Sequence, residues 1–307
     1  TRGKSQTFEK KINSYAPNPD DGGHIIIDPT EEREIVRYGG HNRYDTSVKL
    51  SQKGWSNSDY AVLATGSDYA DALCAAPFAS QINAPILLTP SNYLDGNISS
   101  ELKRLGVKKV YLIGGNIAIS DKVENSIKEM NIGTERISGK DRYATSLAIA
   151  EKINNKEQIF LCTGNGFSDA LSISSYAAST KSPILLTSRD SVDQTIIKYI
   201  EDNKSKVYVI GGTEVIKDNA LINIAGADRI YGSNRYETNI AVIKRFENMF
   251  NSSKVYIATG EDYPDALCGS VLAGKDKAPI VLLNNNISDA GKEKIKPNIE
   301  KANQINI

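Results

Sequence analysis

The side chains best suited to meeting an anion are arginines that the chain writes three times in one setting. The stretches are RYGGHNRYDTS at 37–47, RISGKDRYATS at 136–146 and RIYGSNRYETN at 229–239. In each, the second arginine (Arg43, Arg142, Arg235) follows Asn42, Asp141 or Asn234, good helix N-caps, with a glycine two positions earlier to permit the turn. That places a cation in the first helical turn, where free amide groups favour negative charge and disfavour it by roughly a few tenths of a kcal/mol. A mismatch repeated three times calls for an acid beside each guanidinium. Two sources are open. One is internal: Asp71, Asp169 and Asp265, in YADAL, FSDAL and YPDAL, would pair with the arginines and pin two helix starts together, although each could equally be a plain N-cap. The other is an anionic ligand such as a phosphate, which suits the guanidinium fork. The tyrosines that follow, Tyr44, Tyr143 and Tyr236, open an apolar helix face with Val48, Leu147 and Ile240 four residues on.

Signals for catalysis are thin. There are two histidines, His24 and His41, and the counterparts of His41 are Lys140 and Ser233, so a metal cluster or Ser-His-Asp set would be unique to one repeat. No loop matches a phosphate-binding glycine motif. Cys74 and Cys268 occupy a position held by Ser172, and Cys162 one held by Ala64 and Ala258, so cysteine stands in for small buried residues. Trp55 is expected to pack at a helix end. No catalytic residue, metal or cofactor is therefore expected. Lys+Arg and Asp+Glu both number 37, which argues against a surface carpeted in positive charge for nucleic acid. No apolar run is long enough to span a bilayer, and the first residues carry no apolar signal segment.

The elements that must position the arginines recur with them. ATGSDYADALC (64–74) returns at 162–172 and 258–268, APILLT (84–89) at 182–187 and 278–283, and VYLIGG (110–115) at 207–212. Pro85 to Pro183 is 98 residues and Pro183 to Pro279 is 96, a period the size of a small domain. Short apolar runs alternating with helical stretches predict parallel sheets covered on both faces. The predicted organisation is a leader or linker at 1–34 and repeats at 35–133, 134–227 and 228–307, the third incomplete at its C-terminal end for want of the Gly-Gly turn. In such folds ligands bind beyond the carboxyl ends of the strands, which here are the loops TGSDYAD, LTPSN and IGGN with their counterparts.

Taken in this fixed order, Arg-Tyr-x-Thr, Thr-Gly-x4-Asp-Ala-Leu, Pro-Ile-Leu-Leu and Val-Tyr-x-Ile-Gly-Gly resemble the type-2 cell-wall-binding repeat of clostridial surface-layer and cell-wall proteins, over about residues 35–307. The resemblance implies three α/β modules packed as a pseudo-threefold trimer. It further implies a secreted, non-enzymatic module that anchors a surface protein non-covalently to an anionic, phosphate-bearing, teichoic-acid-like wall polysaccharide of a Gram-positive bacterium. Other surface-layer proteins are a further possible partner, with no nucleic acid and no membrane span. Such a polymer could be held at the repeated arginines, or in one groove lined by Lys140, Lys181 and Lys275. Rival readings are an α/β enzyme of nucleotide or sugar-phosphate chemistry and a structural surface-lattice module.

Overall fold

The computed structural model describes residues 34–284, 296–297 and 299–307, and in them the three repeats build three four-stranded parallel sheets. The first sheet runs β3 (Ile86–Thr89), β2 (Tyr60–Thr65), β4 (Lys109–Ile113) and β5 (Gly133–Ile137). The second repeats that order with β7 (Ile184–Thr187), β6 (Gln158–Thr163), β8 (Lys206–Ile210) and β9 (Asp228–Ile230). The third has β11 (Ile280–Leu283), β10 (Lys254–Thr259), β12 (Gln304–Asn306) and, on its far edge, β1 (Glu34–Val36). Strands such as Ile184–Thr187 are buried along their whole length, as continuous apolar runs require when both faces are covered.

The sheets do not follow the sequence repeats strand for strand. The strand at Arg136-Ile137 opens the second repeat in sequence yet pairs with β4 of the first module, and Arg229-Ile230 likewise completes the second. The third module takes its last strand from the front of the chain, with Glu34, Ile35 and Val36 opposite Gln304, Ile305 and Asn306. The three modules thus close head to tail. Each fourth strand leads directly into the first helix of the next repeat: α1 (Arg43–Gly54), α5 (Arg142–Glu151) and α8 (Arg235–Arg245). Gln304 lies opposite Lys254 as Lys109 lies opposite Tyr60, so Ile307 holds the position of Leu112, before the place of the Gly-Gly pair. Residues 1–33 of the expected leader, His24 included, lie outside the described residues.

The helices that follow the Asp-Ala-Leu motifs meet at the pseudo-threefold axis: α2 (Ala75–Gln81, after a 3-10 turn at Ala72–Cys74), α6 (Ser168–Thr180) and α9 (Pro264–Lys275). Helices α6 and α9 are buried almost all round. Their Ala, Ser and Gly content permits this: a Cβ on Gly274 would stand 2.7 Å from the Ala178 Cβ and 3.1 Å from the Ser179 amide nitrogen. All three cysteines are free and buried here, where burial pushes their thiols up, away from reactivity. Trp55 closes the end of α1, donating to the Asn83 carbonyl at 2.9 Å.

Candidate functional site: the clefts between modules

Each repeated motif is a junction in which nearly every residue has a partner. The cap comes first: Asn42, Asp141 and Asn234 accept from first-turn amide groups at 2.8–3.0 Å. Thr46, Thr145 and Thr238 accept at 3.0 Å from the amides of Gly40, Gly139 and Gly232. These glycines are obligatory, because a Cβ there would fall 2.4–2.5 Å from atoms of the helix behind. The next residue serves the edge strand. Ser47 and Ser146 accept from the amides of Leu88 and Leu186, and Asn239 both accepts from Leu282 and donates to Ile280. Such contacts satisfy backbone groups on a strand that has one neighbour.

Both arginines hold glycine carbonyls. In two of the motifs the first arginine secures the Gly-Gly loop: Arg136 donates to the Gly114 carbonyl at 3.0 Å and Arg229 to that of Gly211 at 2.8 Å. Each also pairs with an acid of the segment beyond, Glu124 or Asp218. The second secures the Thr-Gly loop. Arg43, Arg142 and Arg235 donate through Nη1 to the carbonyls of Gly66, Gly164 and Gly260 at 2.5, 2.5 and 2.8 Å. The adjoining tyrosines lie so close to the same glycines that a Cβ would stand 2.5–2.6 Å from the ring.

The other face of each of these guanidinium groups lies over an aromatic ring of the preceding module. Arg142 covers Tyr69 at 5.9 Å, Arg235 covers Phe167 at 5.6 Å, and Arg43 covers Tyr263 at 5.4 Å. Those three rings form their own cluster on the axis, with centroids 5.5–6.1 Å apart in edge and tilted contacts. The ring Phe167 occupies, in a sequence position with Tyr69 and Tyr263 as its counterparts, was the signal that could have disclosed this arrangement.

The expected carboxylate partners sit beside the arginines of the next module rather than their own. Asp71 feels Arg142, Asp169 feels Arg235 and Asp265 feels Arg43. Among the described residues none of these is a direct ion pair; of the three second arginines, Arg43 pairs with a different acid, Asp262, at 3.4 Å. Burial raises the Asp71 and Asp169 carboxyls above the usual range, Asp169 to about 6. A Cβ on Gly114 or Gly211 would come within 2.5 or 2.6 Å of the Asp71 or Asp169 Oδ2, and both glycines have positive φ, so these turns require glycine twice over.

The three lysines do not share a groove. Lys140 stands in the loop before α5, at the carboxyl ends of the strands. Lys181 caps the far end of α6, a helix of 13 residues and so roughly 20 Å long. Lys275 lies at the corresponding end of α9, where its Nζ donates to the Gly54 carbonyl at 2.9 Å and sits 4.4 Å from the Trp55 ring centroid. His41 is exposed beside α1, and no group of three metal-ligating side chains occurs among the described residues.

Residues 37–124, 136–221 and 229–305 each match Cell wall binding domain 2 (CWB2). The chain belongs to that family. Each matched CWB2 unit begins at the motif, so the strands that complete the first and second sheets run into the start of the following unit. Among curated relatives, the N-acetylmuramoyl-L-alanine amidase LytC of Bacillus subtilis is 35% identical over 276 residues, covering 89% of this chain and 55% of that protein. The amidase enhancer of the same species is 32% identical, over 84% of this chain and 36% of its own. The solved structure of Cwp6 from Clostridium difficile superposes with a TM-score of 0.84 at 31% identity, over 90% of this chain and 45% of its own. Cwp8 from the same organism gives 0.82 at 29%, over 89% and 49%. The chain thus spans about half the length of the relatives it matches or less, and the fold of three packed CWB2 modules is common to the solved pair.

Proposed function

We propose that this chain is a wall anchor: a closed ring of three CWB2 modules that holds a secreted protein at the cell surface by non-covalent binding of an anionic, phosphate-bearing wall polysaccharide. The observation that carries the reading is the threefold repetition, within a wall-binding family, of an arginine at the strand-end cleft between modules. Each guanidinium uses one edge on a glycine carbonyl and one face on an aromatic ring. Arg43 also donates to the Tyr263 hydroxyl and pairs with Asp262, whereas the remaining N–H groups of Arg142 and Arg235 are left for charge-assisted bonds of the kind spaced phosphates accept. Several weak sites on one rigid body gain through effective concentration, so a chain of zero net charge can still grip a charged polymer. The reading assigns no catalysis to the chain, which matches 55% of the protein whose name is an amidase.

Retention on purified Gram-positive walls, before and after chemical removal of the anionic polymer, tests this. Loss of retention on stripped walls is expected. Equal retention on both would defeat the reading, and turnover of a nucleotide or sugar phosphate would support an enzyme instead.

A further inference from the structure

In the first two modules a Gly-Gly loop folds over the carboxyl ends of the strands; in the third, the same place is a cavity. Gly114 and Gly115 follow β4, their turn packs against Asp71, and Ile119 returns to the core fully buried. Gly211, Gly212, Asp169 and Ile216 repeat this in the second module. In the third, Ile307 and Asp265 border a cavity of about 440 Å³. The strand end there is bare: Ala258 is half-buried and Thr259 exposed, where Ala64, Thr65, Cys162 and Thr163 are buried. Arg37 lines the same cavity. Its counterparts Arg136 and Arg229 each hold a loop carbonyl and an acid, whereas Arg37 is exposed and has no such partner among the described residues.

The sequence carries a further copy of that loop, in front of β1. Residues 22–28 read GGHIIID, against GGNIAIS at 114–120 and GGTEVIK at 211–217. In both described copies the first glycine and the sixth residue are buried, and the third and fourth residues are exposed. The order of elements agrees. In the first two modules the loop precedes the sheet-completing strand, and β1 is that strand for the third. The length agrees as well. From Ile27 to Glu34 is seven residues, a reach of about 23 Å, and the stretch of sheet to be retraced, Glu34 to Tyr38, is roughly 13 Å.

We propose that residues 22–28 dock in this cavity and supply the third module's Gly-Gly loop. Gly22 then lies over Asp265, and its amide donates to the Tyr38 carbonyl as those of Gly114 and Gly211 donate to Ile137 and Ile230. Its own carbonyl accepts from Arg37, which gains the contact its counterparts have. Glycine is needed there for the reasons that hold at Gly114 and Gly211: positive φ, and a carboxylate where a Cβ would stand. Ile27 covers the partly buried Ile257 and Leu283, and that apolar burial is what holds the segment. The match begins at Gly22, because Asp21 stands where Ile113 and Ile210 end their strands. Ile26, larger than Ala118 or Val215 in its place, fills the space an isoleucine leaves. The inference rests on the fold and the repeat, and holds whether or not the chain binds a wall polymer.

Amide exchange read by mass spectrometry on the full 307-residue chain tests it, with Ile27→Asp and Gly22→Val set against Ile25→Asp. The first two are expected to speed exchange across 257–260 about tenfold or more and to leave 61–65 unchanged, whereas Ile25→Asp, at the exposed position, matches wild type. Two truncations answer the same question should a substitution fail to fold. Removing residues 1–21 leaves exchange at 257–260 as it was, and removing 1–28, with β1 retained, speeds it as Ile27→Asp does. Equal effects of Ile25→Asp and Ile27→Asp, or no change at 257–260 on removing 1–28, overturns the proposal. So does wild-type exchange at 257–260 that slows as protein concentration rises, which would put a second copy in the cavity.

Discussion

Replacing Arg142 by Gln asks whether the second arginine is a latch between modules. The side chain loses a charge-assisted hydrogen bond from Nη1 to the Gly164 carbonyl and a cation–π contact with Tyr69 across the module boundary. The first is worth about 1.5–3 kcal/mol and the second about 0.5–1 kcal/mol at a half-exposed site. Removing a cation from the first helical turn returns roughly 0.3–1 kcal/mol, and water can reach the vacated carbonyl. The expected net loss is about 2 kcal/mol, a fall of about 3–6 °C in Tm for a chain of this size that unfolds as one unit. Arg142→Lys keeps the charge but not the planar fork, and should recover less than half of the loss. Differential scanning calorimetry with urea titration measures both. A shift below 0.5 °C in the glutamine variant would refute the latch and leave the repeated geometry of three guanidinium groups without a mechanical reason.

Four further outcomes follow from the same contacts. Asp169, raised to about 6 by burial, binds its proton more tightly in the folded state, so its contribution is fully present below the unfolded value near 3.8 and is lost as pH rises through 6. Asp169→Asn should flatten that limb of a stability–pH curve and raise Tm at pH 7. Glu124 runs the other way: Lys128, Arg136 and Thr134 lower it to about 2, so its stabilisation is present above 4.5 and disappears as pH falls toward 2. In Glu124→Gln the acid limb should shrink, read by urea unfolding between pH 2 and 5. Gly139→Ala drives a Cβ to 2.4–2.5 Å from Ala144 atoms, backbone included, and should cost about 3 kcal/mol or prevent folding, seen in soluble yield and Tm. Deleting residues 1–37 removes β1, and amide exchange in β12 should accelerate while that in β4 stays unchanged; equal protection in both would contradict the borrowed strand.

Much of each module was legible because its signals are local. The N-caps Asn42, Asp141 and Asn234, the buried runs at Ile184–Thr187 and Lys206–Ile210, and the small buried cysteines follow from neighbouring residues alone. The partner of Arg136-Ile137 was not legible in that way. A repeat fixes the phase of a pattern in sequence, whereas the neighbour of a parallel strand is chosen at long range, and here it lies across the repeat boundary. The arginines show the same limit. Their need for a compensating group could be read from the helix start, but the groups supplied are glycine carbonyls and a neighbouring module's ring, and neither type announces itself as a counter-charge. The lysines could be aligned but not placed, because Lys140 and Lys181 stand at opposite ends of a helix layer.

The pairing of β1 with β12 bears on how such an anchor withstands tugging. The two strands run parallel, so tension between residue 34 and residue 307 pulls on the start of one and the finish of the other. That direction slides the strands lengthwise past each other and loads the bonds joining Glu34 to Asn303, Ile307 to Val36 and Tyr38 to Ile307 together, instead of unzipping them singly. A tether fastened this way resists force at its seam, where a linear string of separate beads would yield at its weakest link.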